Sequence, residues 1–372
     1  MRSTTYMRTW RAEMRTYNYL SNERPRELIE LYSDIEQELL RIIVKELKKG
    51  TPPTEVFAKM QEKMQSFDDK SQKVLAIIMK DVEYKAIKDG ERDFKQEETD
   101  SEPVSKGLAN ALVAPAVIGG MAILAQLNKQ VVNNAINEYT EDYLQVQAKE
   151  QRKQFGGGLD VLESIYRKLA NKGITIRESI RGKTRDYSIE NIIRRDVMYK
   201  VNQVNAKVNM ENFKQSSAKF IEVSSHPTAR TWTKYMKHPY EDHSSWQGKV
   251  YYSREGEPVA GYEEFESTCG YGEMLGIGGI NCYHQFKMNY TGDSSATQYS
   301  EQEVEKQYAL SQQQRMYERG IRKLKSARAV FEEAGDDVIA KSIGRDIRLA
   351  TSGLRDFCEK YDLKYYNWRT QI

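Results

Sequence analysis

Cysteine and histidine are scarce in this chain. Three cysteines in 372 residues, Cys269, Cys282 and Cys358, cannot build a disulfide scaffold for a protein of this length. The opening MRSTTYMRTWRAEMR lacks the apolar core of a secretory signal, so the sequence predicts synthesis in a reducing, intracellular setting. Proline (8) and glycine (23) are too few for a collagenous or low-complexity chain. Net charge is only +3, from 57 Lys and Arg against 54 Asp and Glu, so any attraction to nucleic acid must come from local patches. The glycine-rich run CGYGEMLGIGGINC (269–282) holds no Gly-Lys-Ser/Thr and is followed by QFKMNYTG rather than by a helical pattern. That disfavours a nucleotide phosphate loop; Gly270, Gly272, Gly276, Gly278 and Gly279 predict a tight loop with close backbone approach instead.

What is present is mostly helical periodicity. In residues 26–49 Leu28, Leu31, Tyr32, Ile35, Leu39, Ile42, Ile43 and Leu47 recur every three or four positions, with Pro25 before and Gly50 after, the mark of an amphipathic helix. Shorter periodic stretches follow at 54–66 and 71–89, then an acidic run, ERDFKQEETDSEP (91–103), which reads as a linker or an exposed helix end. Residues 107–127, GLANALVAPAVIGGMAILAQL, carry no charge and have the length of a membrane span. Asn110, Pro115, Gly119-Gly120 and Gln126 lower their hydrophobicity, so a buried or interfacial helix running on to about Lys153 is the favoured reading, broken by the glycines at 156–158. A helix ending at Gly173, a short strand at 174–180 and a helix opening at Ser188 come next. Residues 151–220 hold 15 Lys and Arg against 7 Asp and Glu; Arg177, Arg181, Lys183, Arg185, Arg194 and Arg195 are its candidate phosphate contacts.

Residues 221–292 change character, with short strand-like pieces, many aromatics and nine of the 23 glycines. The tail from about Glu301 returns to helix, and the closing KYYNWRTQI reads as a docking tail or a frayed end. The expected fold is mainly α: a long helical body, a small turn-rich α+β module and a C-terminal helical tail. Five consecutive regions are drawn, at 1–105, 106–155, 156–220, 221–292 and 293–372. The 24 tyrosines suit a protein that sits against other proteins.

All four histidines, His226, His238, His243 and His284, fall in one 59-residue window of the turn-rich module, with Cys269 and Cys282. His226, His243, Cys282 and His284 are the residue types of a tetrahedral zinc site. Their spacing lacks a C-x-x-C knuckle, so hydrogen bonding in a small polar core competes with a metal; Cys282-x-His284 on a strand would aim both side chains the same way. A thiol hydrolase with Cys282 as nucleophile and His243 or His226 as base is the enzymatic variant, as is a metal-dependent nuclease, and both are disfavoured. Arg230, Trp232, Trp246, Gln247, Lys249, Tyr251 and Tyr252 mix cations and flat rings as single-strand binders do, although core and interface roles fit them better.

The order Ser-Ser-His226-Pro-Thr-Ala-Arg230, His243-Ser-Ser-Trp246-Gln247-Gly248-Lys249, Tyr271-Gly272 and Asn281-Cys282-Tyr-His284 resembles the tailed-phage minor capsid proteins of the minor capsid protein 2 type, akin to Mu head protein F-like proteins. The likeness extends upstream through IIRRDVMYKVNQVNAKVN and downstream through QQQRMYERGIRKLKSA, and is least over residues 50–125. TWTKYMKHPYED separates the Ala-Arg pair from the next histidines, so His238 or His243 fills that place, with WQGK favouring His243; Tyr283 stands where arginine is more usual. The resemblance implies a low-copy, non-enzymatic virion protein at the portal and inner head. It would be made in the bacterial cytoplasm and act in head assembly, DNA packaging or genome ejection. The implied partners are the portal protein, the major capsid protein and packaged DNA, with an oligomer imposed by the portal. An ejected, membrane-interacting DNA-delivery protein using residues 107–127 is the alternative.

Overall fold

The computed structural model describes residues 26–96, 102–153, 161–180 and 183–372, and among them the protein is mainly α. Helix α1 spans Arg26–Lys49, α2 Pro53–Gln96, α3 Lys106–Lys153 and α4 Val161–Lys172. A hairpin of β1 (Thr175–Ile180) and β2 (Lys183–Ser188) leads into α5 (Ile189–Gln215). Then come β3 (Phe220–Val223), α6 (His243–Trp246), β4 (Val250–Tyr252), α7 (Phe265–Cys269) and β5 (Phe286–Asn289), and finally α8 (Glu301–Ala334) and α9 (Asp337–Lys360). The glycines at 156–158 lie outside the described residues.

Two compact units emerge, each assembled from separated stretches of chain rather than from the five consecutive regions drawn on the sequence. One comprises the described parts of residues 1–27, 74–121 and 194–311; the other comprises 28–73, 122–193 and 312–372. The boundaries fall inside α2, α3 and α8, near the start of α5 and at the start of α1.

In the second unit α1 buries Leu28, Leu31, Tyr32, Ile35, Leu39, Ile43 and Leu47 of the face its periodicity predicts; Ile42 is half-buried, and Ile29, Leu40 and Val44 are buried beside that face. Its acidic first turn and basic last turn complement the helix dipole. Polar ties are few and buried. Tyr32 Oη donates to Asn128 Oδ1 (2.6 Å), whose amide donates to Asp68 (2.6 Å), and the Tyr32 and Phe67 rings meet edge to face at 4.8 Å. Glu36 accepts the Ile174 amide (3.0 Å), and burial pushes its carboxyl up to about 7. The C-terminal residues are docked rather than frayed: the Lys364 carbonyl accepts from Gln314 on α8 (2.9 Å), Arg322 donates to the Arg369 carbonyl, and Thr370 is buried.

Two sequence expectations change in detail. The stretches at 54–66 and 71–89 form one helix, α2, because the Phe67-Asp68-Asp69-Lys70 segment between them contains no breaker. Within it Gly90 makes room for the Asn212 amide, which a Cβ would strike; Asn212 in turn accepts the Val104 amide (2.9 Å). The acidic run at 91–103 begins as the end of this helix. Helix α3 passes through Pro115 without ending.

The first unit holds the turn-rich module. Its sheet has three antiparallel strands in the order β4-β3-β5, with Ile221 opposite Tyr251 and Met288. Phe94, Ala206, Met210, Phe213, Ile221, Val223, Trp246, Tyr251, Phe265, Cys269, Cys282, Phe286 and Met288 share one apolar core. Glu222, buried between the apolar neighbours Ile221 and Val223, accepts from the Ser295 amide (2.5 Å) and hydroxyl (2.8 Å) and from Asn289 (3.3 Å), tying the loop after β5 to the central strand.

Candidate functional site

Three stretches of chain deliver the histidines and the cysteine. His226 follows β3 directly. Asp242 caps α6 by accepting from the Ser244 amide and hydroxyl, and this single turn of helix places His243 and Trp246 on one face, their rings 4.6 Å apart. Cys282 and His284 lie in the segment that leaves the glycine-rich loop and precedes β5, outside any strand, so the alternation a strand would impose does not aim them. Convergence here comes from the loop and not from strand alternation.

The loop is held by side chains. Arg230 donates to the carbonyls of Leu275 (3.2 Å) and Ile280. From α5, Asn202 donates to the Cys282 carbonyl (2.8 Å), Gln203 to Gly278 (2.9 Å) and Asn209 to Phe286 (3.1 Å). The sequence reading did not single out these three residues or Glu222. The asparagines have a signal of their own: Asn202, Asn205, Asn209 and Asn212 recur every three or four positions along the helix.

His243, Cys282 and His284 are buried, and their donor atoms lie within 4.8 Å of one another. The His243 and His284 rings are 5.3 Å apart, as are those of His226 and His284. Nε2 of His243 donates to the Leu275 carbonyl (2.9 Å) and Nε2 of His284 to Gln247 Oε1 (3.1 Å), which leaves Nδ1 of each ring as the lone pair. Gln247 Oε1 also accepts the His226 amide (2.7 Å), so one side chain orients two of the histidines. Cys282 Sγ is 3.8 Å from His284 Nδ1. His238 does not join the cluster; it is exposed and stacked on Tyr240.

Burial sets the protonation of this cluster. It pushes His226 down to about 4 and His243 to about 3, the Arg230 guanidinium adding to the effect on His243. His284 is held well below the usual imidazole range by burial, the two other histidines and Arg230. Burial also pushes the Cys282 thiol up. Cys282 has no exposed surface, and its raised thiol favours the neutral form. Neutral imidazoles beside sulfur in a water-excluded pocket can act as a polar core or as metal ligands.

The remaining motif residues are structural. Trp246 is buried with its indole N–H on the Tyr240 carbonyl (3.0 Å), and it accepts from Tyr251 Oη through its own carbonyl (2.6 Å). Gly248, at positive φ, accepts from Ser294 and Gln298 (both 2.8 Å). Tyr271 packs on Phe265 and Phe286 (5.7 and 5.8 Å); Gly272 and Asn281 take positive φ in the loop. Of the aromatic and basic mixture only Trp232 and Lys249 are exposed; Trp246 and Tyr251 belong to the core.

The basic block is divided between the two units. Arg177 and Arg185 are exposed on the hairpin, but Arg177 is paired with Asp186 (2.9 Å). Lys183 opens β2, and Arg181 lies outside the described residues. Arg194 and Arg195 are half-buried on α5, in the other unit, with Arg195 paired to Asp196 (2.7 Å).

The whole-chain comparison is decisive: the family described as phage minor capsid protein 2 matches residues 18–359. The chain belongs to that family. It is similar to a structural protein of Lactococcus phage LL-H, 35% identical over 95 residues, and to one of Lactococcus phage mv4, 33% identical over 95 residues. Each alignment covers 25% of this chain; it spans 26% of the LL-H protein and 77% of the mv4 protein. No solved structure matches. A minor capsid protein 2 member is a phage structural protein, hence a virion component that associates with other virion components. In this member His226, His243, Trp246, Gln247, Cys282 and His284 of the motif are buried in the turn-rich module.

Proposed function

We propose that the protein is a low-copy minor head protein that docks on the portal and the inner face of the capsid shell, in an oligomer imposed by the portal. There it supports head assembly, DNA packaging or genome ejection. It acts by binding and not by turnover. The observation that carries this reading is the burial of the motif's three histidines and its cysteine. His243, Cys282 and His284 cluster within 4.8 Å, His226 packs edge to face on His284, and Arg230 ties the loop together, so these side chains are turned inward. Family membership over residues 18–359 supplies the virion context. Sedimentation of purified protein with portal oligomers or procapsids tests it. Binding to both or either is expected, and a protein that stays in the supernatant with both overturns the reading.

A second reading, ejection with the DNA and insertion in the host membrane, is favoured by one feature of α3. An 18-residue window of this helix has a mean hydropathy of 2.0 and only 28% of it is buried. Flotation with lipid vesicles separates this reading from the first.

A further inference from the structure

We propose that His226, His243, Cys282 and His284 bind one zinc ion as a closed, four-ligand structural site that staples the turn-rich module. His226 is buried and its ring hydrogen-bonds the Tyr283 backbone, while its Nε2 has no partner. A buried ring nitrogen with nothing to bond is costly and calls for an explanation. It sits in a ring that meets His284 edge to face at 5.3 Å, on the border of the cluster formed by His243, Cys282 and His284.

The tautomers agree. In each of the three histidines one ring nitrogen is engaged by protein, through Leu275, Gln247 or the Tyr283 backbone, and the other remains for a ligand. Metal-bound histidines are oriented in this way by an oxygen acceptor behind the ring. Gln247 performs that service for His284 while holding the His226 backbone in place.

The choice of ion follows from the donors. Three neutral imidazoles and one thiolate contain no carboxylate or carbonyl oxygen, which excludes calcium and magnesium chemistry and suits zinc. In a tetrahedral zinc site with bonds of about 2.0–2.3 Å the donors stand roughly 3.3–3.8 Å apart. Cys282 Sγ and His284 Nδ1, at 3.8 Å, stand a few tenths of an ångström beyond the roughly 3.5 Å of a zinc-bound sulfur–nitrogen pair, and the three-residue cluster lies within 4.8 Å. All four side chains are buried, as the ligands of structural zinc sites are. The ion would cross-link chain segments otherwise joined by a three-stranded sheet of very short strands and two helices of four and five residues.

The test uses the full-length chain. Elemental analysis after gel filtration should find one zinc per chain in the wild type and in Cys358→Ser, and none in Cys282→Ser. His226→Gln should weaken zinc about tenfold or more in competition with a chromophoric chelator. Should the variants fail to fold, cobalt(II) substitution of the wild type decides the matter: intense tetrahedral d–d bands with a thiolate charge-transfer band in the near ultraviolet are expected. A chain that carries no zinc and takes up no cobalt overturns the proposal, as does a pale six-coordinate spectrum without the thiolate band. Full affinity in a folded His226→Gln overturns the four-ligand assignment.

Discussion

Gly276 stands where the glycine-rich loop folds back on α7. A Cβ there would run into the carbonyl oxygen of Gly270, and the contact is with backbone that cannot rotate away. The next residue, Ile277, donates its amide to the Cys269 carbonyl (2.8 Å), so the loop is pinned on both sides of the clash. Gly276→Ala is therefore expected to destabilise the protein by about 2–3 kcal/mol, read as a lower urea midpoint with an unchanged slope; an unchanged midpoint would contradict this packing. Residue identity was partly legible in the sequence. Four histidines confined to 59 residues pointed to one site, and the structure brings three of them together with Cys282. What could not be read is which atoms orient them, because the Leu275 carbonyl and the Tyr283 backbone carry no residue signature. Gln247 entered through a motif and not through a deduced role.

Helices were the most legible elements. The three- and four-residue spacing in α1 predicted its buried face because one side alone meets the core. α5 was harder: it is apolar on several sides and its asparagines serve loop carbonyls, so hydrophobic periodicity marks the helix but not its purpose. The turn-rich module was legible only as a change of composition, since strands of three or four residues leave too few alternations to set a register. α3 poses the functional question at this scale. Ile118 is 68% exposed and Ile123 37%, on a helix whose Pro115 gives up a backbone donor. A helix that packs on protein in the head has no need of lipid. Purified protein is thus expected to remain at the bottom of a vesicle flotation gradient, indistinguishable from Ile118→Asp. Wild type that floats while Ile118→Asp does not would favour the membrane reading.

For the molecule as a whole, near-neutral charge, 24 tyrosines and long helices describe a binding body more than a DNA-coating one. The excess of positive charge in residues 151–220 is spread over two units, and Arg177 and Arg195 are already paired with acids, so the linear count overstated the cationic surface. Unit organisation escaped the sequence for a related reason: each unit gathers stretches far apart in the chain, and long helices contribute to both, so composition shifts along the sequence do not coincide with compact bodies. The mainly α class survived because it depends on local pattern alone. The most direct measurement of the central claim is an asymmetric electron cryo-microscopy reconstruction of filled virions. Density that fits the turn-rich module should lie inside the head against the portal. The same density on the outer shell or the tail, or a particle from which this protein is missing, would contradict the account.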